Sequence, residues 1–394
     1  MSTRPAPTPA ATTPARSSPK APPAPAAAAS AEPGAGRVVS IDALRGFDMF
    51  WIVGGHGLIL ALAGLVWKLL PEWLTAQMKH AQWEGFTAWD MIMPLFLFIV
   101  GTAMPFSFAR RFDQGASKLS LHRKILVRVL ILWVLGMIAQ GHLLDFQLDK
   151  LHLYSNTLQA IAAGYLVAGL VLVNLPGWIH LPITAGLLAG YWALMTYVPV
   201  PGYAAGMLQE QVNLGRYVDD LVLGSFRDGS TYTWIIGSLN FAAMVMLGLH
   251  AGQILRWRRS GWTKTAWLVL AGAACLGAGW AWSYRLPLNK HLFSSSMVLW
   301  AAGWSYLLLA GFYLVIDVIG WRRWAFSFVV IGANAIFAYM ITHVFSFGEL
   351  ANKLVFGLAQ HVGPAAPALR AFTAVLLLWL ILYYLYRNKT FVRV

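Results

Sequence analysis

His80, Glu84 and Asp90 fall within eleven residues, and the run that follows, Met91-Ile92-Met93-Pro94-Leu95-Phe96-Leu97-Phe98, carries no charge. Polar chemistry here runs directly into an apolar wall. A histidine, with an ordinary pKa near 6.5, is the side chain best poised to remove a proton from an amine at neutral pH. His80 is the candidate for that base, or for a nucleophile that takes an acyl group and passes it on; an interfacial histidine beside Trp83 is the bland alternative. Asp90 either orients the imidazole or binds an ammonium, or serves only as a carboxylate matched to the dipole of a helix start. Trp83, in the same block, is a candidate for substrate contact.

Asp42, Arg45, Asp48 and His56 form a second constellation. At about 100° per residue they share an arc of about 120° on one helix, a stripe that would face the interior of a bundle. An i, i+3 ion pair anchoring the helix accounts for Asp42 and Arg45 equally well. His56 lies eleven residues beyond Arg45, roughly 16 Å of helix, and an ionisable group that deep in a membrane is a functional candidate. Asn289 and Lys290 are candidates for holding substrate hydroxyls or a carbonyl oxygen. Asn334, about nine residues into its span, is a buried hydrogen-bonding group or helix-helix glue, and His343 falls half a turn out of phase with it.

The elements that must position these residues follow from composition. Hydrophobic residues make up 58% of 394 and charged residues 11%, against roughly 25% charged in a soluble domain. This describes an all-α, polytopic membrane protein. Apolar stretches of about twenty residues read as ten spans, near 42–66, 86–109, 124–141, 156–174, 180–198, 233–255, 264–283, 293–317, 324–346 and 369–386. The interrupted segment 349–365 is expected at the interface. Residues 1–37, dominated by Pro and Ala, read as a disordered cytoplasmic tail, with the transmembrane domain over 38–394. No apolar core follows the tail's charges before Val38, which excludes a signal peptide.

The net charge of +14 is spread in short clusters between spans, which argues for membrane orientation rather than nucleic-acid binding. Arg110, Arg111, Lys118, Arg123 and Lys124 follow the second span, and Arg256, Arg258, Arg259 and Lys264 follow the sixth. Arg322, Arg323, Arg387, Lys389 and Arg393 lie on the same side. The positive-inside rule makes that side cytoplasmic, puts both termini inside and places His80 outside. The single cysteine, Cys275, excludes an internal disulfide, the ten histidines are scattered, and neither phosphate-loop nor zinc-protease patterns occur; no metal is expected.

Several of these residues carry a resemblance. Asp42-Ala43-Leu44-Arg45-Gly46 is followed by His80-x-x-Trp83-x-Gly85-Phe86-Thr87-x-x-Asp90-x-x-x-Pro94-x-Phe96-x-Phe98-Ile99-x-Gly101. Leu158-Gln159, then Leu286-Pro287-Leu288-Asn289-Lys290 with Ser294-Ser295, then Gly332-Ala333-Asn334-Ala335 continue in the same order. The pattern, over residues 38 to about 350, resembles the transmembrane acetyltransferases typified by heparan-alpha-glucosaminide N-acetyltransferase and its bacterial relatives. The resemblance implies a bundle that takes acetyl-CoA from the cytoplasm and acetylates an amino sugar outside, with the family's catalytic histidine falling on His80. It implies a homodimer, and it puts Gln159, Asn289, Lys290 and Asn334 among substrate-binding candidates. For CoA it points to the inner-face residues Asp42, Arg45, Arg110, Arg111, Arg123 and Arg128, with Lys124, Arg256, Arg258 and Arg259 as further cations for the phosphates. The chain departs from the family where His56 replaces a membrane asparagine and Ala160 replaces an arginine. It lacks the animal enzyme's large lumenal domain, so a small amino sugar or cell-wall fragment is the expected acceptor.

Two other readings fit the residues. A secondary transporter would use the Asp42-to-His56 stripe as a proton or substrate path, although no inverted repeat is visible. A non-catalytic partner in a cell-envelope assembly would use the Pro/Ala tail as its interaction arm.

Overall fold

Hydrocarbon offers no partner to open backbone groups, so apolar runs of this length fold as helices. The computed structural model of the protein describes residues 1–2, 38–66 and 71–392 and contains no strand among them. The Pro/Ala-rich stretch, apart from Met1 and Ser2, lies outside the described residues, as does Arg393.

The helices run in order as α1 (Val39–Phe50), α2 (His56–Val66), α3 (Glu72–Gln77), α4 (Ile92–Asp113), α5 (Lys118–Ala139), α6 (Thr157–Asn174), α7 (His180–Tyr197) and α8 (Leu214–Leu223). After these come α9 (Gly237–Arg256), α10 (Gly261–Ser283), α11 (Ser295–Tyr313), α12 (Phe326–Ala333), α13 (Ala335–Val344), α14 (Phe347–Leu354), α15 (Phe356–His361) and α16 (Ala366–Arg387). Among the described residues eight helical stretches are long and apolar enough to cross a membrane, or nine if the bent pair formed by Arg323–Ala333 and Ala335–Val344 is one span. The protein is a polytopic helical membrane protein.

The expected number was about ten. The segment read as the third span is helical, as α5, but Arg123, Lys124 and Arg128 interrupt its apolar character, and a cation inside hydrocarbon is costly. Residues 347–361 form the two short helices α14 and α15 rather than a span.

The core is made by close backbone approach as much as by side-chain interdigitation. A Cβ on Gly248 would overlap the Phe98 carbonyl, and one on Gly101 would overlap that of Val245, so α4 and α9 touch backbone to backbone. Gly46 and Gly332 do the same between α1 and α12. Small residues at such crossings are how helices associate in lipid, where apolar burial supplies little preference.

A break in the first span matters most for function. Residues Trp51–Gly55 form one wide π-turn, and Gly54 sits at φ +131°, a conformation that excludes an ordinary side chain. The helical phase that aligned His56 with Asp42, Arg45 and Asp48 does not survive this turn, so the single stripe expected from the sequence is not formed.

Candidate active site

The block around His80 cannot continue a helix, because Gly85 takes φ +117° and donates its N–H to the Leu288 carbonyl at 2.8 Å. The chain therefore loops until Thr87, where a new turn begins with a capping box: Asp90 Oδ2 accepts from the Thr87 backbone N–H at 3.0 Å. The same oxygen accepts from Ala81 N at 3.3 Å, and the Thr87 hydroxyl lies 3.0 Å away. Asp90 is fully buried, with one oxygen committed to its own turn.

The other oxygen faces the chemistry. His80 Nδ1 lies 2.7 Å from Asp90 Oδ1. A carboxylate only accepts, so Nδ1 carries the proton and Nε2 keeps a free lone pair. One oxygen of Asp90 thus caps its own turn and the other faces the imidazole. The His80 side chain is 42% exposed while that of Asp90 is 0%: the imidazole stands at an open mouth on a sealed base.

Lys290 completes the group. Its ammonium is 3.5 Å from Asp90 Oδ1, and 2.9 and 3.3 Å from His80 Nδ1 and Nε2. In the ring plane those two distances would drive the nitrogen into Cε1, so it lies over the face of the imidazole and leaves the Nε2 lone pair open. Burial pulls the Lys290 ammonium down to about 8 against the upward pull of Asp90. Lys290 sits in the connection between α10 and α11, which its neighbours pin firmly. Ser294 Oγ donates to the Pro287 carbonyl at 2.8 Å, Ser296 Oγ to that of Leu286 at 2.6 Å, and Asn240 Nδ2 to that of Phe293 at 2.7 Å. Asn289 shapes the same turn through Oδ1, which accepts from Leu292 N at 2.8 Å, while its Nδ2 is buried without a partner.

An aromatic wall flanks the site. His291 stacks on Tyr232 with centroids 4.6 Å apart and a 17° tilt, and its ring lies 5.4 Å from that of Trp83. Burial keeps its imidazole below the ordinary histidine range, and Nδ1 lies 2.6 Å from the Thr231 hydroxyl. Trp83 donates Nε1 to the Leu208 carbonyl at 3.0 Å. Asp219 accepts from Trp234 N and Ile235 N at 2.7 and 2.8 Å, fixing the strip that carries Tyr232; burial pushes its carboxyl up to about 6.

Beside Thr87 and Trp89, a cavity of about 480 Å³ descends between α1, α4 and α11. Phe47, Trp51, Trp300 and Trp304 line it, and so does Asp48, whose residue is 1% exposed and whose Oδ2 has no partner.

The remaining expected residues separate into near and far. His56 reaches the site indirectly: its ring lies 4.2 Å from Trp89, which is 6.1 Å from His80, and Nε2 is 3.0 Å from the Met78 carbonyl. Gln159 and Asn334 are not brought to His80. Both ends of the Gln159 amide are used in its own loop, by Leu153 O and Ser155 N, and Asn334 binds Thr390 O and Val392 N at the break between α12 and α13. Both are buried hydrogen-bonding groups, as Asn334 was expected to be.

Arg110 and Arg111 end the helix that begins beside Asp90, and Arg123 opens the next, so all three lie at the far end of the bundle from His80. Arg128 packs over the Tyr165 ring at 4.4 Å. Asp42 and Arg45 pair with each other at 3.3 Å near the start of α1. Among the described residues no group of three or more metal-ligating side chains occurs.

No family model matches the chain. It is 27% identical over 378 residues to mouse heparan-alpha-glucosaminide N-acetyltransferase, covering 79% of this chain and 56% of that protein. To the human protein of the same name it is 26% identical over 422 residues, covering 90% and 59%. The chain is thus similar in sequence to two mammalian heparan-alpha-glucosaminide N-acetyltransferases. It spans less than three-fifths of the length of these two acetyltransferases. Tyr232, His291 and Asp219 were not singled out by sequence as parts of this site, and Thr87 appeared only within the quoted motif. The Thr87-x-x-Asp90 spacing was a readable capping signal, and His291 adjoins Lys290; nothing in the sequence connects Asp219 to residue 80.

Proposed function

We propose that this protein is a membrane acetyltransferase that moves an acetyl group from cytoplasmic acetyl-CoA to the amino group of a glucosamine-like sugar outside a bacterial inner membrane. The observation that carries this reading is the buried Asp90 holding His80 in one tautomer, with the Lys290 ammonium over the ring and Nε2 open. As the amine attacks the thioester carbonyl, its C–N bond forms, the C–S bond breaks, and CoA leaves as a thiolate that takes up a proton. His80 Nε2 accepts the proton released by the amine, or accepts the acetyl group first and then passes it on. Lys290, and the unpartnered Asn289 Nδ2, supply positive charge and a donor for the oxyanion that develops at the carbonyl.

Acetyl-CoA fits as a substrate. The apolar, aromatic cavity suits the methylenes of the pantetheine arm, and the Asp48 side chain, whose Oδ2 has no partner, offers a hydrogen-bonding group to one of its amides. Arg110, Arg111 and Arg123 at the far end suit its phosphates. The names of the two mammalian relatives, acetyltransferases of a glucosaminide, support an amino-sugar acceptor.

The test is release of free CoA and formation of acetylated glucosamine by the purified protein and its His80→Ala form. Turnover in the first and not the second supports the proposal; equal turnover removes His80 from the mechanism. Uptake of labelled sugar into vesicles without acetylation would favour the transporter. Labelled acetyl retained on the protein without acceptor, and lost in His80→Ala, would select the acetyl-histidine route.

A further inference from the structure

At the end of the bundle opposite His80, the turn between α9 and α10 reads Arg256-Trp257-Arg258-Arg259-Ser260-Gly261-Trp262-Thr263-Lys264, four cations with no acidic residue. α9 begins next to Thr233, which donates to the His291 carbonyl, and crosses the bundle to end at Arg256, so the turn lies at the opposite membrane boundary. Positive charge there is explained by orientation alone. A concavity beside it is not. Trp257 and Trp267 meet edge to face at 5.8 Å, and together with Arg258, Arg259 and Thr263 they line an open surface recess of about 670 Å³. The two tryptophans are 41% and 47% exposed, and neither arginine has an ion-pair partner among the described residues.

We infer that this recess is a binding site for the phosphate headgroup of an anionic phospholipid. Arg258 and Arg259 take the phosphate oxygens in charge-assisted hydrogen bonds. The indole faces of Trp257 and Trp267, at the level where tryptophans prefer to sit in a bilayer, cover the glycerol and the first methylenes. The two exposed tryptophans at this membrane boundary favour a lipid over the nucleotide end of CoA. A lipid anchored here grips the ends of two packed helices without entering the catalytic path.

The test uses the full chain, delipidated in detergent, with native mass spectrometry against phosphatidylglycerol, phosphatidylcholine, CoA and inorganic phosphate. The expected result is one phosphatidylglycerol retained per chain in preference to phosphatidylcholine. Replacing both arginines, Arg258→Ala with Arg259→Ala, weakens that retention roughly thirtyfold, the worth of two cations at a membrane surface. The pair Arg258→Lys with Arg259→Lys keeps most of it, which separates charge from folding. Equal retention of the two lipids, or unchanged phosphatidylglycerol binding in the double alanine form, overturns the assignment. Loss of CoA binding in the double alanine form would make the recess a nucleotide site instead, and competition by inorganic phosphate alone would make it a free-anion site. None of these readouts depends on turnover, so failure here leaves the acetyltransferase reading standing and the reverse also holds.

Discussion

The first helix and the loop before α4 both set carboxylates and a histidine a few residues apart, yet only the loop becomes a cluster. On α1, Asp42 pairs with Arg45, Asp48 turns into a cavity, and His56 lies beyond a π-turn against Trp89. Around residue 80, Asp90 closes on His80 at 2.7 Å and draws in Lys290 from 200 residues further on. Helical period projects side chains reliably only while the helix stays regular. One glycine at φ +131° ends that projection, whereas a loop tied at Gly85 and Thr87 fixes geometry by hydrogen bonds and needs no period.

If the loop cluster is the chemical site and the α1 stripe is not, substitutions should divide them. His80→Ala is expected to lower acetyl transfer about 10³- to 10⁴-fold, toward the upper end of what a positioned acid-base group contributes. CoA release measures it, and an activity near that of the parent would erase the contrast. Asp90→Asn keeps the shape but frees the imidazole to take the other tautomer; a loss of about 10²- to 10³-fold is expected. Its thermal midpoint in detergent should drop too, because Lys290 is then buried without its anion.

Lys290→Met should cost about a hundredfold, the scale of one lost oxyanion donor, and should change the pH profile. With Lys290 held at about 8 in the folded protein, the parent's rate should fall as pH rises through about 8, and the variant should lack that limb. The sign for stability is opposite. An unfolded lysine keeps its proton to about 10.4, so the unfolded chain binds more protons between about 8 and that value, and stability should rise with pH across that window in the parent alone. A thermal melt series over pH would show it.

The smallest effect is expected for His56→Asn, less than about tenfold, since it removes one hydrogen bond to the Met78 carbonyl of about 1 kcal/mol. A loss matching that of His80→Ala would restore the stripe to the mechanism.

Much of the site was legible because its parts are close in sequence. His80, Asp90 and the Thr87 spacing lie within one loop and one turn, where local rules operate. Lys290 was found through its motif. Its place over the imidazole was not, because that depends on how the α10–α11 connection is pinned by Asn240, Ser294 and Ser296. Gln159 and Asn334 had the right type and burial for a site, and backbone groups occupy both ends of each amide, from its own loop for Gln159 and from the distant residues Thr390 and Val392 for Asn334.

Composition and the length of apolar runs alone determined an all-helical membrane bundle, since lipid forbids unpaired backbone, and the clustering of Arg and Lys put His80 and the cations at opposite ends. Only the tertiary structure decided which polar groups meet. A π-turn, a left-handed glycine and backbone contacts between helices far apart in sequence set distances to tenths of an ångström, and hydrophobic periodicity carries no information at that scale.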